Sequence, residues 1–224
     1  MTQSILAIEP NTIEYDPDRD GNDHALIGIS PFNGYFSTQN IENLMRWACR
    51  NFKTFDIFTM DGASKYNLIA LGYSEEESIK KTNKQDKHLR NKILRGFEGL
   101  GFSEDESNKK IVLISSLKDN PRYQELYEFY LKLFAENPQF REDCLYASRS
   151  ILLGKSKLSI DEAAAISVNY LLQELPVWFN TPYIMDVSSS VFVYKDLPQY
   201  WRNICYNYDL ISTNQKILIK QIDS

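Results

Sequence analysis

The stretch Ala25-Leu26-Ile27-Gly28-Ile29-Ser30-Pro31-Phe32-Asn33-Gly34-Tyr35-Phe36-Ser37 decides how the chain folds. Residues 25–30 form an apolar run with one glycine inside it, which reads as a buried strand ending at Ser30. Pro31 to Gly34 is turn chemistry. Ser37 or Thr38 then caps a helix whose apolar positions Ile41, Leu44, Met45, Ala48 and Phe52 recur at helical spacing. Strand, tight turn and helix repeat downstream, with a second strand at 55–60, a short helix around 64–71 and a third strand at 110–115. Such alternation predicts right-handed crossovers and an α/β fold, a mainly parallel sheet flanked by helices.

Outward from this unit, residues 1–23 carry Pro10, Pro17 and Gly21 among many acids and read as a leader loop. The second half is mostly helical. Pro121 suits the first turn of a helix with Leu126, Phe129, Tyr130 and Leu133 on its buried face. Another helix covers about 142–153. Ser159 with Glu162 forms a capping box for a helix reaching Leu175, with Pro176 as its stop. A last strand at 190–194 precedes a mixed tail that ends with 217–222. With no repeat or Pro/Gly/Ser linker, residues 24–224 read as one domain.

Composition narrows the function. The 224 residues are 43% apolar and 25% charged, ordinary globular usage. No apolar run approaches the ~20 residues of a membrane span, and the first residues lack the basic and apolar regions of a signal peptide. Cys49, Cys144 and Cys205 are odd in number and far apart, so neither a disulfide framework nor a zinc pair can be drawn, and a reducing cytoplasm is the expected setting. A net charge of −5 argues against sequence-blind coating of DNA. Gly154-Lys155-Ser156 ends like a P-loop, but the glycine required upstream is Arg149, and GxGxxG occurs nowhere; ATP and NAD have no support. Two distant histidines and scattered acids make no metal-ligand cluster.

Ser30 ends a strand and opens the turn into a helix, where open α/β sheets place ligands, and Gly28 allows close approach. Equally, a Ser-Pro pair can simply terminate a strand. A hydrolase triad is poorly supported: His24 lies six residues upstream, about 20 Å along the strand, His88 sits in a charged stretch, and the GxSxG elbow is absent. A nucleophilic serine here must therefore shed its proton without histidine, which favours an activated ester as substrate. Tyr170 and Glu174 stand four apart on one helix face among Leu171, Leu172 and Leu175, either fit to hold an ammonium group and pass protons or simply a solvated Glu beside a core-edge Tyr. Tyr194 ends a strand that can bring a second phenol nearby. From residue 80 to 95, Lys80, Lys81, Lys84, Lys87, Arg90, Lys92 and Arg95 face Asp86 alone, while Leu89, Ile93 and Phe97 turn inward. With Asn91 and His88 as neutral donors, this is either a solvated face or a nucleic-acid footprint.

Together these residues resemble the cyclodipeptide synthases. Residues 28–37 are similar to that family's active-site stretch, Gly-hydrophobic-Ser-x-x-Asn-Ser-Tyr-Phe-Ser, with Gly34 where the family usually has serine. Tyr170, Glu174, Leu175 and Pro176 resemble its second motif and Val193-Tyr194 its third, with Lys195 where its two main branches carry His or Pro. The resemblance implies a Rossmann-like catalytic domain similar to class I tyrosyl- and tryptophanyl-tRNA synthetases. It implies two aminoacyl-tRNAs as substrates, no cofactor and no ATP, and a cyclic dipeptide as product. By the same resemblance, Ser30 accepts the first aminoacyl group, Tyr170 and Glu174 hold its amino group, and Tyr194 aids proton transfer. Gly28 leaves room for the acyl chain, and Asn33 and Lys195 adjoin the substrate. Lys84, Lys87, Arg90, Asn91, Lys92 and Arg95 contact tRNA. The rival readings are a serine hydrolase or acyltransferase acting on small activated esters, and a non-catalytic tRNA-binding protein.

Overall fold

The computed structural model describes residues 7–8, 24–197 and 199–221. Among them, six parallel strands form one sheet: β1 (Ala7–Ile8), β2 (His24–Gly28), β3 (Thr54–Thr59), β4 (Ile111–Leu113), β5 (Ser190–Tyr194) and β6 (Gln215–Ile219), in the spatial order β1-β6-β5-β2-β3-β4. Strand β2 lies inside, between β5 and β3, and its alternate side chains enter two separate cores. Leu26 joins Phe58, Phe192, Trp178 and Tyr130 on one face; Ala25 and Ile27 join Ile41, Met45, Ile93 and Phe97 on the other. Burial on both faces is why this strand reads as a continuous apolar run without polar alternation.

One face is covered by α1 (Thr38–Asn51) and α3 (Glu75–Glu98). Against the other pack α6 (Pro121–Glu136), α7 (Pro138–Leu152), α8 (Ile160–Met185) and α9 (Gln199–Asn207). Short helices α2 (Ser64–Ala70), α4 (Glu104–Lys109) and α5 (Ile114–Leu117) complete the described chain. Caps fix several of the boundaries. Ser37 accepts from the Asn40 N–H at the start of α1, capping boxes open α3, α4 and α8, and Asn120 and Asn137 cap helices with proline in the first turn.

Four expectations need correction. The 1–23 segment is not wholly a leader loop, because Ala7 and Ile8 pair in parallel with Ile217 and Leu218; its other residues lie outside the described ones. The apolar end of the mixed tail, expected over 217–222, is the strand Gln215–Ile219, between β1 and β5. The strand expected over 110–115 stops at Leu113, and Ile114 already starts α5. Pro176 does not stop its helix, which runs to Met185 with non-helical backbone only at Asn180, φ −143° and ψ 30°. Proline removes one N–H donor and crowds one carbonyl, a local cost that burial of Leu175, Val177, Trp178 and Phe179 outweighs.

Candidate active site

Ser30, expected to end the strand, stands two residues past the carboxyl end of β2, at the start of the turn that follows. The turn is held locally. Phe32 adopts a left-handed φ of 60°, the Asn33 side-chain oxygen accepts the Tyr35 N–H at 3.1 Å, and the Asn33 carbonyl accepts the Phe36 N–H at 3.2 Å. This Asx turn aims Asn33 into the same pocket as Ser30 while fixing the loop that carries the serine.

The pocket, about 620 Å³, is open on one side and brings together Ser30, Asn33, Tyr170, Glu174, Tyr194 and Lys195. The Ser30 hydroxyl and the Tyr194 phenol are 2.6 Å apart, across 164 residues of sequence. Tyr170 lies beside both, and burial, Glu174 and Tyr194 together push its phenol well above the usual tyrosine value, an effect that a hydrogen bond with Ser30 opposes. Glu174 is 8% exposed. Burial raises its carboxyl to about 7, partly offset by the Trp178 indole, which nears the carboxyl without meeting hydrogen-bond geometry. A carboxyl poised near neutrality can accept and return a proton at working pH. Lys195 pairs with the adjacent Asp196 and lies 6.0 Å from the centre of the Tyr35 ring, so its charge is partly neutralised at the pocket rim.

Gly28 differs from expectation, because it does not leave space for an acyl chain. A methyl group there would lie 2.7 Å from Phe192 Cζ and 3.2 Å from Tyr194 Cδ2. Aromatic rings of β5 already occupy that space, so the missing side chain seats Tyr194 beside Ser30.

The basic helix α3 divides into two sets. Lys84, Lys87, Asn91 and Arg95 are exposed on one stripe at i, i+3, i+7 and i+11. Arg90 instead donates to the Asn108 side chain at 2.6 Å. Lys92 is half-buried and donates to the Phe36 carbonyl at 3.1 Å, which ties α3 to the loop carrying Ser30; it does not belong with the outward cations. Its position next to the buried Ile93 puts it on the flank of the helix. Asp86 also turns inward, accepting the Gly62 N–H at 2.8 Å, which leaves the exposed stripe more uniformly basic than the sequence count implies.

Sequence reasoning missed the aromatic wall of the pocket, Trp178 and Trp201, stacked at 4.4 Å with an interplanar angle of 18°. Trp178 follows Glu174 by four residues, the same spacing that pairs Glu174 with Tyr170. Reading Pro176 as a stop hid it.

Among the described residues, no helix is long and apolar enough to cross a membrane. The chain matches the cyclodipeptide synthase family model over residues 7–206. It is 30% identical over 179 residues to the cyclo(L-leucyl-L-phenylalanyl) synthase of Streptomyces noursei, covering 79% of this chain and 74% of that one. The fold is similar to that of a cyclodipeptide synthase from Staphylococcus haemolyticus, with TM-score 0.81, 25% identity and coverage of 92% and 93%. It is also similar to a Mycobacterium tuberculosis protein described as demonstrating that cyclodipeptide synthetases are related to type I tRNA synthetases, with TM-score 0.74, 27% identity and coverage of 88% and 84%. A family match over most of the chain, on an all-parallel sheet with helices on both faces and a pocket at the carboxyl ends of its strands, makes this protein a member of the cyclodipeptide synthase family of enzymes.

Proposed function

We propose that this enzyme makes a cyclic dipeptide from two aminoacyl-tRNAs by a ping-pong route through an aminoacyl ester on Ser30. The observation that carries the reading is the 2.6 Å contact of Ser30 with Tyr194 in a pocket that also holds the buried Glu174, with which no cation pairs among the described residues. Ser30 Oγ attacks the carbonyl of the first ester; its proton leaves through the phenol contact, and the ribose hydroxyl of tRNA departs. No histidine is required, because the ester already carries a good leaving group.

The amino group of the Ser30-bound residue then needs to lose a proton to become a nucleophile. Glu174, with Tyr170 one turn before it, holds that ammonium and accepts the proton. The amine attacks the second aminoacyl ester and releases the second tRNA. The newly terminal amine next attacks the Ser30 ester, which closes the ring and returns the serine hydroxyl. Asn33 and Lys195, on the pocket wall, contact the substrate. Delivery rests on the exposed Lys84, Lys87, Asn91 and Arg95 stripe, with phosphate contact supplying most of the attraction. Arg90 adds to its edge, and Lys92 acts from behind by fixing the Ser30 loop.

Incubation with radiolabelled aminoacyl-tRNA and analysis of products tests this reading. Cyclic dipeptide and a labelled Ser30 ester are expected. Free amino acid alone would point to a hydrolase, and recovery of intact ester to a binding protein.

A further inference from the structure

Trp178 stands on α8 one turn beyond Glu174, 1% exposed, with its ring bordering the pocket. The ring is clamped: stacked on Trp201 at 4.4 Å, tilted against Phe192 at 4.3 Å, and edge-on to Tyr194 at 5.4 Å. It therefore cannot swing to find a partner. Yet its Nε1–H is buried without a hydrogen-bond acceptor among the described residues. A buried donor left unmade is costly, so its persistence in a site calls for a use. One helical turn back on the same pocket wall stands the Glu174 carboxyl, whose pKa the indole lowers.

The other groups around Glu174 leave the indole as its available donor from the protein. Tyr170 on the same helix, Tyr194 on β5 and Ser30 on the loop after β2 are engaged with one another. Asp86 on α3 acts on Tyr170 as a further negative charge. At the rim, Lys195 pairs with Asp196 and Lys155 donates to the Ile151 carbonyl. Among the described residues no cation pairs with Glu174.

We propose that Trp178 is a positioning residue for Glu174, whose carboxylate closes onto the fixed indole N–H and is thereby held ionised and turned toward the amino group of the bound aminoacyl ester. The proposal rests on the role given to Glu174 above. Removing a donor to the charged form of a carboxyl raises its pKa further. The test is the pH dependence of single-turnover dipeptide formation for the parent, for Trp178→Phe, and for a variant carrying 3-benzothienylalanine at 178, which keeps the fused ring and lacks the N–H. Both variants are expected to shift the acidic limb upward by about one pH unit, which lowers the rate about tenfold at pH 6 and leaves it within about twofold at pH 8.5. The carboxylic acid band of Glu174 in infrared spectra, identified by its loss in Glu174→Gln, should titrate with the same shift in the absence of substrate. If Trp178→Phe fails to fold, the benzothienyl variant decides. A uniform loss at every pH, or an unmoved limb and band, overturns the proposal. Parent-like activity in Glu174→Gln would instead overturn the role of Glu174 itself, whereas an inactive Glu174→Gln beside unshifted Trp178 variants sinks only this inference.

Discussion

The two ends of strands β2 and β5 carry similar chemical groups and opposite designs. At the amino ends, His24 Nδ1 meets Ser190 Oγ at 2.8 Å and His24 Nε2 meets Asp56 at 3.1 Å, with Lys110 3.9 Å from the same carboxylate. At the carboxyl ends, Ser30 meets Tyr194 beside Tyr170 and Glu174. The first set has the connectivity of a hydrolase triad, yet Ser190 and His24 are 0% and 1% exposed, out of reach of any ester. Each His24 nitrogen has a partner there, whereas the other end keeps, among the described residues, a carboxyl without a cation and a buried indole N–H without an acceptor, both on side chains that line a pocket. Connectivity alone does not make a site. Polar groups left incompletely satisfied beside an opening do, and in parallel sheets that opening lies at the carboxyl ends.

The sharpest way to break this contrast is Ser30→Ala. Product and aminoacyl-enzyme should fall by at least about 10³-fold, with the denaturation midpoint nearly unchanged. A covalent aminoacyl mass on any other residue of that variant would end the assignment.

Glu174→Gln should separate stability from function. Its carboxyl is raised from 4.5 to about 7 by burial, so the folded protein resists its ionisation. Below about pH 4.5 both folded and unfolded chains hold the proton and nothing is lost. As pH climbs through that window the unfolded chain ionises first, and folding loses up to roughly 3 kcal/mol by pH 8. The variant should therefore be more stable than the parent at pH 8 and equal to it near pH 4.5, by urea unfolding, while dipeptide formation drops.

His24→Ala should do the reverse at the other end of the strands. Leaving Ser190 and Asp56 without their shared partner should cost about 2 kcal/mol of stability. Activity per folded molecule should stay within about twofold. A large fall in the rate constant, with folding intact, would mean that the two ends are not separable.

Smallest is the effect of charge on α3. Lys84→Ala with Lys87→Ala should raise the aminoacyl-tRNA concentration needed for half-maximal rate several-fold and reduce the slope of log affinity against log salt by about two. A short aminoacyl ester without a tRNA body should be used equally by both proteins. An unchanged salt slope would assign that stripe to solvent.

Much of the Ser30 end was legible from the sequence because its signals are local. An apolar run, Asx and proline turn chemistry and a helix cap lie within thirteen residues, and Tyr170 with Glu174 obeys simple helical spacing. The amino-end network was not legible, since His24 and Ser190 are 166 residues apart and neither lies in a pattern that names the other. Trp178 was lost to an over-strict reading of Pro176. Lys92 was misplaced because charge alone does not tell the exposed stripe from its flank. Strand β1 was hidden because two residues carry too little periodicity to register against an acidic, proline-containing background.

Strand order also sets when the active site can exist. Ser30 follows a strand whose neighbour β5 is made only after some 160 further residues, and Tyr194 meets it across 164. Beyond β5, the sheet is completed by β6, which ends at Ile219 and receives β1 from near the amino terminus. Contacts this far apart in sequence delay folding, because the loop must close before the pairing repays it. A chain emerging from a ribosome thus displays Ser30 early, but with neither phenol nor carboxyl beside it. The pocket therefore assembles only once β5 has been made and has paired with β2.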